Sequence, residues 1–356
     1  MAADDRPSRR LKPEEALAQG SWVKLICGAS NQDLPAISDL CAVFGAAGVA
    51  CVDVAADLAV VHAARIGLDW LQEQGFPLPW LMVSVSDGTD AHFRKAWFDS
   101  SFCPADCPRP CERVCPADAI SQPVAVDERR CYGCGRCLPA CPYGLIEERD
   151  YRLDTTAMVR LIAQVQPDAV EIHTSEGRAE AFDAVVKAIA RSGVSLQRMA
   201  VSCGLEGHAL THDALAQELW WRYSSLRRHR FRPLWQLDGR PMSGDVGSGT
   251  ARSAVQLWRR VSAQAPPGPL QLAGGTNATT VALLQEQEQP AGVAFGGIAR
   301  RSLMPLIEEA HERGTPLRYW TEGWQRGLAL ARSLVQPWQE RGLRSNPLEG
   351  DLKMPS

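Results

Sequence analysis

Residues 51–71 contain the unit from which the fold is built, and they read Cys51-Val-Asp-Val-Ala-Ala-Asp-Leu-Ala-Val-Val-His-Ala-Ala-Arg-Ile-Gly-Leu-Asp-Trp-Leu71. The run Cys51–Val54 is short, apolar and partly β-branched, which predicts a strand. After Asp57 the apolar residues recur at helical spacing, which predicts a helix to Leu71. A strand followed by a helix is the repeating unit of a parallel sheet covered by helices.

The same unit recurs eight times along the chain. Strands are predicted at Val23–Cys27, Cys51–Val54, Leu81–Val85, Ala169–His173, Met199–Cys203, Leu234–Leu237, Leu270–Ala273 and Val293–Phe295. Helices are predicted at Asp33–Phe44, Asp57–Leu71, Thr155–Gln166, Ala179–Arg191, Asp213–Leu226, Thr250–Val261, Asn277–Glu286 and Leu303–Arg313. Eight units favour a closed (β/α)8 barrel. An open doubly wound α/β sheet is the alternative.

One interval between strands is much longer than the others. The starts of successive predicted strands are 28, 30, 88, 30, 35, 36 and 23 residues apart. We therefore predict that residues 87–153 form an insertion after the third strand, between barrel segments 21–86 and 154–320. Because loops after strands lie at the C-terminal face of a barrel, the insertion is expected beside the barrel mouth.

The two ends of the chain are more polar than its middle. We predict a disordered lead-in over residues 1–20, a C-terminal helix over 321–342 that Pro337 kinks or ends, and a flexible tail over 343–356. No secretory signal and no run of 18 apolar residues is present, so a cytoplasmic chain without a transmembrane segment is expected. A net charge of −3 does not suggest a nucleic-acid binder.

Eight of the twelve cysteines fall in two short runs. The second run is Cys131-Tyr-Gly-Cys134-Gly-Arg-Cys137-Leu-Pro-Ala-Cys141-Pro142, which matches the bacterial ferredoxin pattern C-x2-C-x2-C-x3-C-P. Three thiolates from one tight loop reach three corners of a cubane cluster, and the fourth serves the other cluster. The first run is Cys103-Pro-Ala-Asp-Cys107-Pro-Arg-Pro-Cys111-Glu-Arg-Val-Cys115-Pro116, and its first two gaps are one residue longer.

This pattern predicts two clusters with crossed ligands. Cluster I is assigned to Cys103, Cys107, Cys111 and Cys141, and cluster II to Cys131, Cys134, Cys137 and Cys115. Cluster II is expected to be a [4Fe–4S] cluster, whereas the irregular first run leaves [4Fe–4S] and [3Fe–4S] open for cluster I. A pair of zinc sites is the alternative. Apolar residues expected to shield the clusters are Ile120, Val126, Leu145 and Ile146.

Glycine pairs follow the last two predicted strands. Gly274-Gly275 and Gly296-Gly297, together with Arg240, favour an anion or phosphate site at the mouth, where FMN is a candidate ligand. The alternative is that these glycines only permit tight turns.

Other polar residues also stand at strand ends. These mouth candidates are Asp53, Asp57, Ser86, His173 and Asp238. Among them we find no nucleophile–base pair, so catalysis is not expected. Cys27 and Cys203 also end strands and are candidate redox thiols. A basic stretch at the end of the fifth helix is either a solvated face or a docking patch for an acidic partner, and its members are Arg222, Arg227, Arg228, Arg230 and Arg232.

Several segments together resemble a known family. They are the two cysteine runs, Trp22-Val-Lys-Leu-Ile-Cys-Gly-Ala-Ser-Asn31, Val52-Asp-Val-Ala-Ala-Asp57, Asp238-Gly-Arg-Pro-Met-Ser-Gly-Asp245 and Leu272-Ala-Gly-Gly-Thr-Asn277. The chain resembles the light-dependent period A family of photosynthetic bacteria from about residue 20 to 320. The resemblance implies an iron–sulfur protein that conveys light or redox state to the circadian clock, modulates its period and associates with the histidine kinase CikA and with KaiA.

Three hypotheses of function follow. The first is a redox sensor that acts through protein–protein interaction. The second is a ferredoxin-type oxidoreductase that passes electrons to a flavin or a phosphate-bearing substrate at the mouth. The third, a plain electron carrier, leaves most of the chain without a role.

Overall fold

The computed structural model describes residues 11–27, 34–90, 93–115, 117–121, 125–128, 130–204, 211–240, 247 and 249–345. The strands are β1 Trp22–Ile26, β2 Cys51–Ala55, β3 Trp80–Ser86, β4 Arg94–Trp97, β5 Glu147–Asp150, β6 Ala169–His173, β7 Arg198–Gly204, β8 Pro233–Asp238, β9 Leu270–Ala273 and β10 Gly292–Phe295. The helices are α1 Pro13–Gln19, α2 Leu34–Ala47, α3 Leu58–Glu73, α4 Pro110–Arg113, α5 Cys137–Ala140, α6 Thr155–Val165, α7 Ala179–Arg191, α8 His212–Arg228, α9 Ala251–Val261, α10 Gly297–Glu312 and α11 Thr321–Ser345.

Eight parallel strands close into a barrel in the order β1-β10-β9-β8-β7-β6-β3-β2. The barrel prediction is confirmed, and the open sheet is wrong because β1 pairs with both β2 and β10. Each predicted barrel strand is found within one residue of its predicted ends. The agreement reflects burial, since strands covered on both faces read as near-continuous apolar runs.

The barrel strands alternate between two environments. Outward side chains such as Val52, Val170 and Ile172 are buried against the surrounding helices in the main core. Inward positions include Lys24 and Glu171, both fully buried. Because successive side chains of a strand point to opposite faces, the barrel has a polar layer inside and an apolar layer outside.

Helix α1 closes the N-terminal end of the barrel. Its Ala16 and Leu17 are buried against Trp22 and other residues at the strand starts. Burying a leucine contributes about 2 kcal/mol. Glu14 also pairs with Arg198 at the start of β7. The predicted disordered lead-in is therefore wrong for residues 13–19, whereas residues 1–10 lie outside the described part of the chain.

Two further helix predictions need correction. Over Asn277–Glu286 the chain forms one 3-10 turn at Val281–Leu283 instead of a helix. At the C-terminus, α11 runs through Pro337 to Ser345, so it does not end at Gln336. The flexible tail predicted over 343–356 is therefore wrong for residues 343–345, which belong to α11, and residues 346–356 lie outside the described part of the chain. Within the described ranges, no helix combines the length and apolarity needed to cross a membrane.

The long interval after β3 contains a separate small substructure. Its ends form the antiparallel pair β4–β5, with Arg94 opposite Asp150. Asp154 then caps α6 by accepting the backbone N–H of Thr156 at 2.8 Å. The chain re-enters the barrel through β6, which pairs with β3. The cysteine runs thus lie between strands that are neighbours in the barrel, at its C-terminal end.

Candidate iron–sulfur centre

Two short helices organise the cysteine runs. Helix α4 follows Arg109 in the first run, and α5 begins at Cys137 in the second. Gly133 and Gly135 adopt φ of 78° and 73°, which lets the second loop wrap tightly. In the first run Arg109 takes φ of 50° without being glycine. The two loops therefore reach a similar turn by different means.

One group of four cysteines surrounds a cavity. The cavity, of about 330 Å³ with its open side included, is lined by Cys115, Cys131, Cys134 and Cys137. Burial raises the pKa of the Cys137 thiol to about 12, and the nearby Cys134, Cys131 and Cys115 thiols add to the rise. Among the described residues, no three Cys, His, Asp or Glu side chains are arranged to hold a single metal ion.

The other four cysteines also influence one another's thiol pKa values. Burial raises the pKa of the Cys103 thiol, and the neighbouring Cys107 and Cys141 thiols contribute. Burial likewise raises the pKa of the Cys111 thiol, and Cys141 adds to it. Cys141 therefore lies with the first run although it belongs to the second, and Cys115 lies with the second although it belongs to the first.

The two exchanged cysteines have matching backbone contacts. The backbone N–H of Ala119 donates to Cys115 Sγ at 3.2 Å, and that of Leu145 donates to Cys141 Sγ at 3.4 Å. Each donor stands four residues after its cysteine. Such N–H···S bonds stabilise a thiolate ligand and tune the potential of a cluster.

An apolar shell encloses the cysteines. The shell is a separate core that includes Ala96, Phe98, Ile120 and Ile146 as buried members and Val126 and Leu145 as half-buried ones. Ile120 and Val126 also form an antiparallel bridge. Thiol donors in two groups of four, amides aimed at sulfur and a shielding apolar shell fit an iron–sulfur cluster. When bound, a cluster supplies reversible one-electron chemistry.

A buried lysine joins the cysteine-bearing segment to the barrel. Lys95 Nζ donates to the backbone carbonyl of Glu128 at 2.6 Å, three residues before Cys131. Lys95 Nζ also lies 3.5 Å from Oδ2 of Asp57. The other carboxylate oxygen of Asp57, Oδ1, caps α3 by accepting the backbone N–H of Ala59. Sequence reasoning proposed Asp57 but missed Lys95, because a single lysine in a short strand carries no distinctive pattern.

The barrel interior contains a buried charge cluster. Lys24 Nζ lies 2.8 Å from Asp53 Oδ2 and contacts Glu171. Burial works against its charge, but the two carboxylates raise the pKa of Lys24. Burial also works against the Glu171 carboxylate, yet Lys24 and His173 lower its pKa to about 2. Charged residues in the middle of apolar strands were the sequence signal that could have revealed this cluster.

The cluster continues to the mouth through His173. Its Nε2 lies 3.3 Å from Glu171 Oε1, and its Nδ1 lies 2.8 Å from Asp90 Oδ2. Burial lowers the pKa of His173, but the hydrogen bonds to Asp90 and Glu171 outweigh it and hold the pKa well above its usual range. Both ring nitrogens of His173 face carboxylates, an arrangement that favours the protonated ring and suits a structural tie better than a general base.

The glycine loops pack closely against each other. A Cβ added to Gly274 would lie 2.5 Å from the carbonyl oxygen of Arg240, and one added to Gly275 would lie 2.9 Å from that of Thr250. Both glycines have positive φ, which supports the tight-turn alternative. Gly296 precedes Gly297, the first residue of α10. The anion site on these residues and the exposed Arg240 stays a prediction.

The remaining candidates are mostly engaged inside the protein. Ser86 donates to the carbonyl of Gly88 at 2.8 Å, and Asp238 accepts from Gln236 at 3.3 Å. Burial raises the pKa of Cys203 to about 12, so it is a poor redox thiol. Cys27 is fully buried, 3.7 Å from the sulfur of Cys41.

Three members of the predicted basic patch form internal ion pairs, although only Arg222 among the five is buried. Arg222 is buried and pairs with Glu218, so it cannot belong to a docking surface. Arg228 lies 3.4 Å from Asp183. Arg232 pairs with Glu14 of α1, as Arg198 does. These contacts hold helices and strand ends together.

Comparison with known proteins agrees with this geometry. Residues 161–337 match the light dependent period A C-terminal domain, and residues 103–152 match the iron–sulfur cluster-binding domain of the same family. A protein of Synechococcus elongatus, "Light dependent period A", is 44% identical over 92% of this chain and 94% of its own. A putative electron transport protein of Escherichia coli, YsaA, is 46% identical over 11% of this chain and 26% of its own.

Solved structures align with most of the chain at low sequence identity. An (S)-3-O-geranylgeranylglyceryl phosphate synthase from Thermoplasma acidophilum covers 93% of this chain and 99% of its own, with 13% identity and a TM-score of 0.45. The YdjI aldolase from Escherichia coli covers 95% and 96%, with 8% identity and a TM-score of 0.44. At these scores the structural matches carry no argument about function. The two domain matches and the full-length relative establish that the chain belongs to the light dependent period A family and that residues 103–152 are its iron–sulfur cluster-binding domain.

Proposed function

We propose that this chain is an iron–sulfur redox sensor that conveys light or redox state to the circadian clock and modulates clock period through protein–protein interaction. Its sensing element comprises two clusters of the [4Fe–4S] type, of which cluster I can lose an iron to give a [3Fe–4S] form. Cluster I is held by Cys103, Cys107, Cys111 and Cys141, and cluster II by Cys131, Cys134, Cys137 and Cys115.

The crossed ligand sets are supported by the mutual proximity of the thiols. Cys141 contributes to the raised pKa values of Cys103 and Cys111, and Cys115 contributes to those of Cys134 and Cys137. This exchange is what two linked ferredoxin loops require. Longer gaps in the first run favour cluster I as the labile member, and three of its four ligands are half-buried, against two of the four ligands of cluster II.

The observation that favours a sensor over a simple carrier is the contact made by Lys95. This side chain bonds the backbone just before Cys131 and lies beside Asp57, which caps the barrel helix α3. A change in charge or geometry at cluster II can therefore alter the contacts of Lys95 and, through Asp57, the start of α3. A carrier needs no such link, because it only has to expose its cluster.

The connection to the clock rests on family membership. The Synechococcus relative, named "Light dependent period A", aligns with 92% of this chain. The partners expected from the family resemblance are the histidine kinase CikA and KaiA. In this proposal, the oxidation state or the loss of the clusters controls partner binding.

A second candidate is an oxidoreductase with a flavin or phosphate-bearing ligand at the mouth. The observation that favours it is the start of α10 at Gly297, because the first amides of a 16-residue helix suit an anion. Absorbance near the flavin bands and mass spectrometry of protein purified without oxygen test it. Holoprotein without a bound flavin, and with no change in cluster potential on adding FMN, contradicts it.

Amide hydrogen exchange tests the sensor proposal against the carrier. We expect reduction or removal of the clusters to speed exchange in the first turn of α3 and in β4, whereas α9, which packs on β8 and β9 across the barrel from the β3–β6 pair, changes little. The Lys187→Met variant, altered at an exposed position of α7, serves as the matched control and keeps the wild-type response. Identical exchange in the oxidised, reduced and cluster-free protein would contradict a sensor that acts through the barrel.

A further inference from the structure

A cleft lies between the barrel mouth and the cysteine-bearing segment. It measures about 500 Å³, its open side included. It is separate from the glycine loops that follow β9 and β10. Its walls come from the ends of β2 and β3, from the pair β4–β5 and from α6, and they include Ala55, Asp57, Ser86, Phe93, Lys95, Tyr132, Tyr151, Arg152, Leu153 and Met158.

The walls of the cleft are mainly apolar and aromatic. Phe93, Tyr132 and Tyr151 contribute rings, and Met158 contributes a fully buried thioether side chain. Phe93 packs edge-on against the His173 ring, with centroids 5.2 Å apart. Aromatic walls favour flat, apolar ring systems, which stack on them.

Lys95 is a buried cation within this mainly apolar surface. The Lys95 side chain is nine-tenths buried, and its Nζ lies 3.8 Å above the centre of the Tyr151 ring. An ammonium has three N–H donors, and the Glu128 carbonyl and Asp57 account for two of them. The Tyr151 ring faces the third side of the ammonium, so a ligand anion is attracted by the charge of Lys95 rather than by an unshared N–H.

The charge balance of the lining also favours an anion. Arg94, Lys95 and Arg152 line the cleft, against Asp57 as the one carboxylate among its lining residues in the described part of the chain. Glu148 and Asp150 lie 3.8 Å from Arg94 and offset it in part. Electrostatic attraction is strongest at Lys95, because it is the least exposed of the three cations.

We propose that this cleft binds a small, flat aromatic anion, with its rings against Phe93, Tyr132 and Tyr151 and its charged group on Lys95. Tyr132 also lines the cavity bounded by Cys115, Cys131, Cys134 and Cys137. A ligand in the cleft is therefore separated from that cavity by one side chain. The binding step itself does not depend on the redox-sensor proposal.

Calorimetric titration of the full-length holoprotein tests this proposal with two probes of the same shape. We use 2-naphthoate as the anion and 2-naphthamide as its neutral counterpart. The expected result is one site per chain, with the anion bound at least tenfold more tightly. Lys95→Met removes the preference for the anion, and the exposed Lys187→Met retains it.

A second variant separates loss of charge from loss of space. Leu153→Trp fills the cleft from its half-buried rim without altering Lys95, and it is expected to abolish binding of both probes. Unchanged iron content and melting temperature show that each variant is folded. The proposal is overturned if wild type shows no saturable binding, if Lys95→Met keeps the anion preference, or if Leu153→Trp binds both probes normally. None of these outcomes bears on partner binding, so the sensor proposal is tested separately.

Discussion

Asp90 Oδ2 lies 2.8 Å from Nδ1 of His173, so the segment that leads from β3 into the cysteine runs is tied to the barrel interior. The opposite nitrogen of the same ring faces Glu171, which contacts Lys24 at the centre of the barrel. A continuous chain of charges thus connects the barrel core with the base of the insertion. Replacing a member of this chain of charges is expected to change the free energy of unfolding by an amount that depends on pH.

The His173 contact predicts a loss of stability at alkaline pH. Its pKa is raised on folding, so protonated His173 stabilises the folded chain below about pH 6.5, its usual pKa. This contribution is lost as pH rises through the higher folded value. Replacing His173 by Gln is expected to lower the free energy of unfolding by about 3 kcal/mol at pH 6.

Urea unfolding between pH 6 and 10 measures this effect. The His173→Gln variant should lie below wild type at pH 6 and approach it as the pH rises. Parallel curves for the two proteins would show that His173 carries no net charge in the folded state.

Loss of the Lys24 charge should be more costly. Lys24→Met leaves Asp53 and Glu171 buried without their cation, and breaking such a group lowers the free energy of unfolding by about 4 kcal/mol. The exposed Lys187→Met should change it by less than about 0.5 kcal/mol. Adding Glu171→Gln to Lys24→Met should recover part of the loss, since it removes an unpaired charge. A Lys24→Met variant as stable as wild type would refute this assignment.

Glu171 predicts the behaviour at acid pH. Its pKa is lowered from 4.5 to about 2, so its contribution is present above pH 4.5 and disappears as pH falls toward 2. The Glu171→Gln variant should therefore show a flatter decline in unfolding free energy over this range. Chemical denaturation at pH 2.5, 3.5 and 4.5 measures the slope, with exposed Glu180→Gln as the control. Equal slopes for wild type and Glu171→Gln would contradict the predicted shift.

The crossed cluster ligands predict a selective loss of iron. In protein purified without oxygen, Cys134→Ala should lower the iron content from about eight to about four atoms per chain. Cys115→Ala should remove the same cluster, although it belongs to the other run. Cys111→Ala should remove the second cluster, and buried Cys51→Ala at the barrel floor should remove neither.

Iron and sulfide analysis together with EPR of the reduced proteins distinguishes the clusters. Matching spectra of Cys134→Ala and Cys115→Ala are the expected result. If Cys115→Ala instead matches Cys111→Ala, each run holds its own metal site and the crossed assignment is wrong.

The barrel strands could be predicted because their apolar runs are flanked by turn residues, whereas other features depend on distant contacts. The helix predicted over Asn277–Glu286 fails since Asn277 and Thr280 bond nearby backbone and compete with helix formation. Helix α1 was missed because Leu17 and Glu14 find their partners at the barrel floor.

For the same reason, the cysteines of the candidate site could be predicted from the sequence, whereas Lys95 and the cleft could not. Cysteine spacing is local, so both runs are recognisable in the sequence. The role of Lys95 depends on Glu128, 33 residues away, and on Asp57, which belongs to a barrel helix cap. The cleft beside Tyr132 likewise exists only after the insertion has packed on the barrel.

The affinity of the full-length protein for immobilised KaiA and CikA, followed through one complete redox cycle of the same anaerobic sample, is the most direct test of the sensor. We expect affinity for at least one partner to change at least fivefold on reduction and to return on reoxidation, whereas Cys134→Ala loses the response. Equal affinity of the oxidised, reduced and cluster-free protein for both partners would contradict a redox sensor that acts through protein–protein interaction.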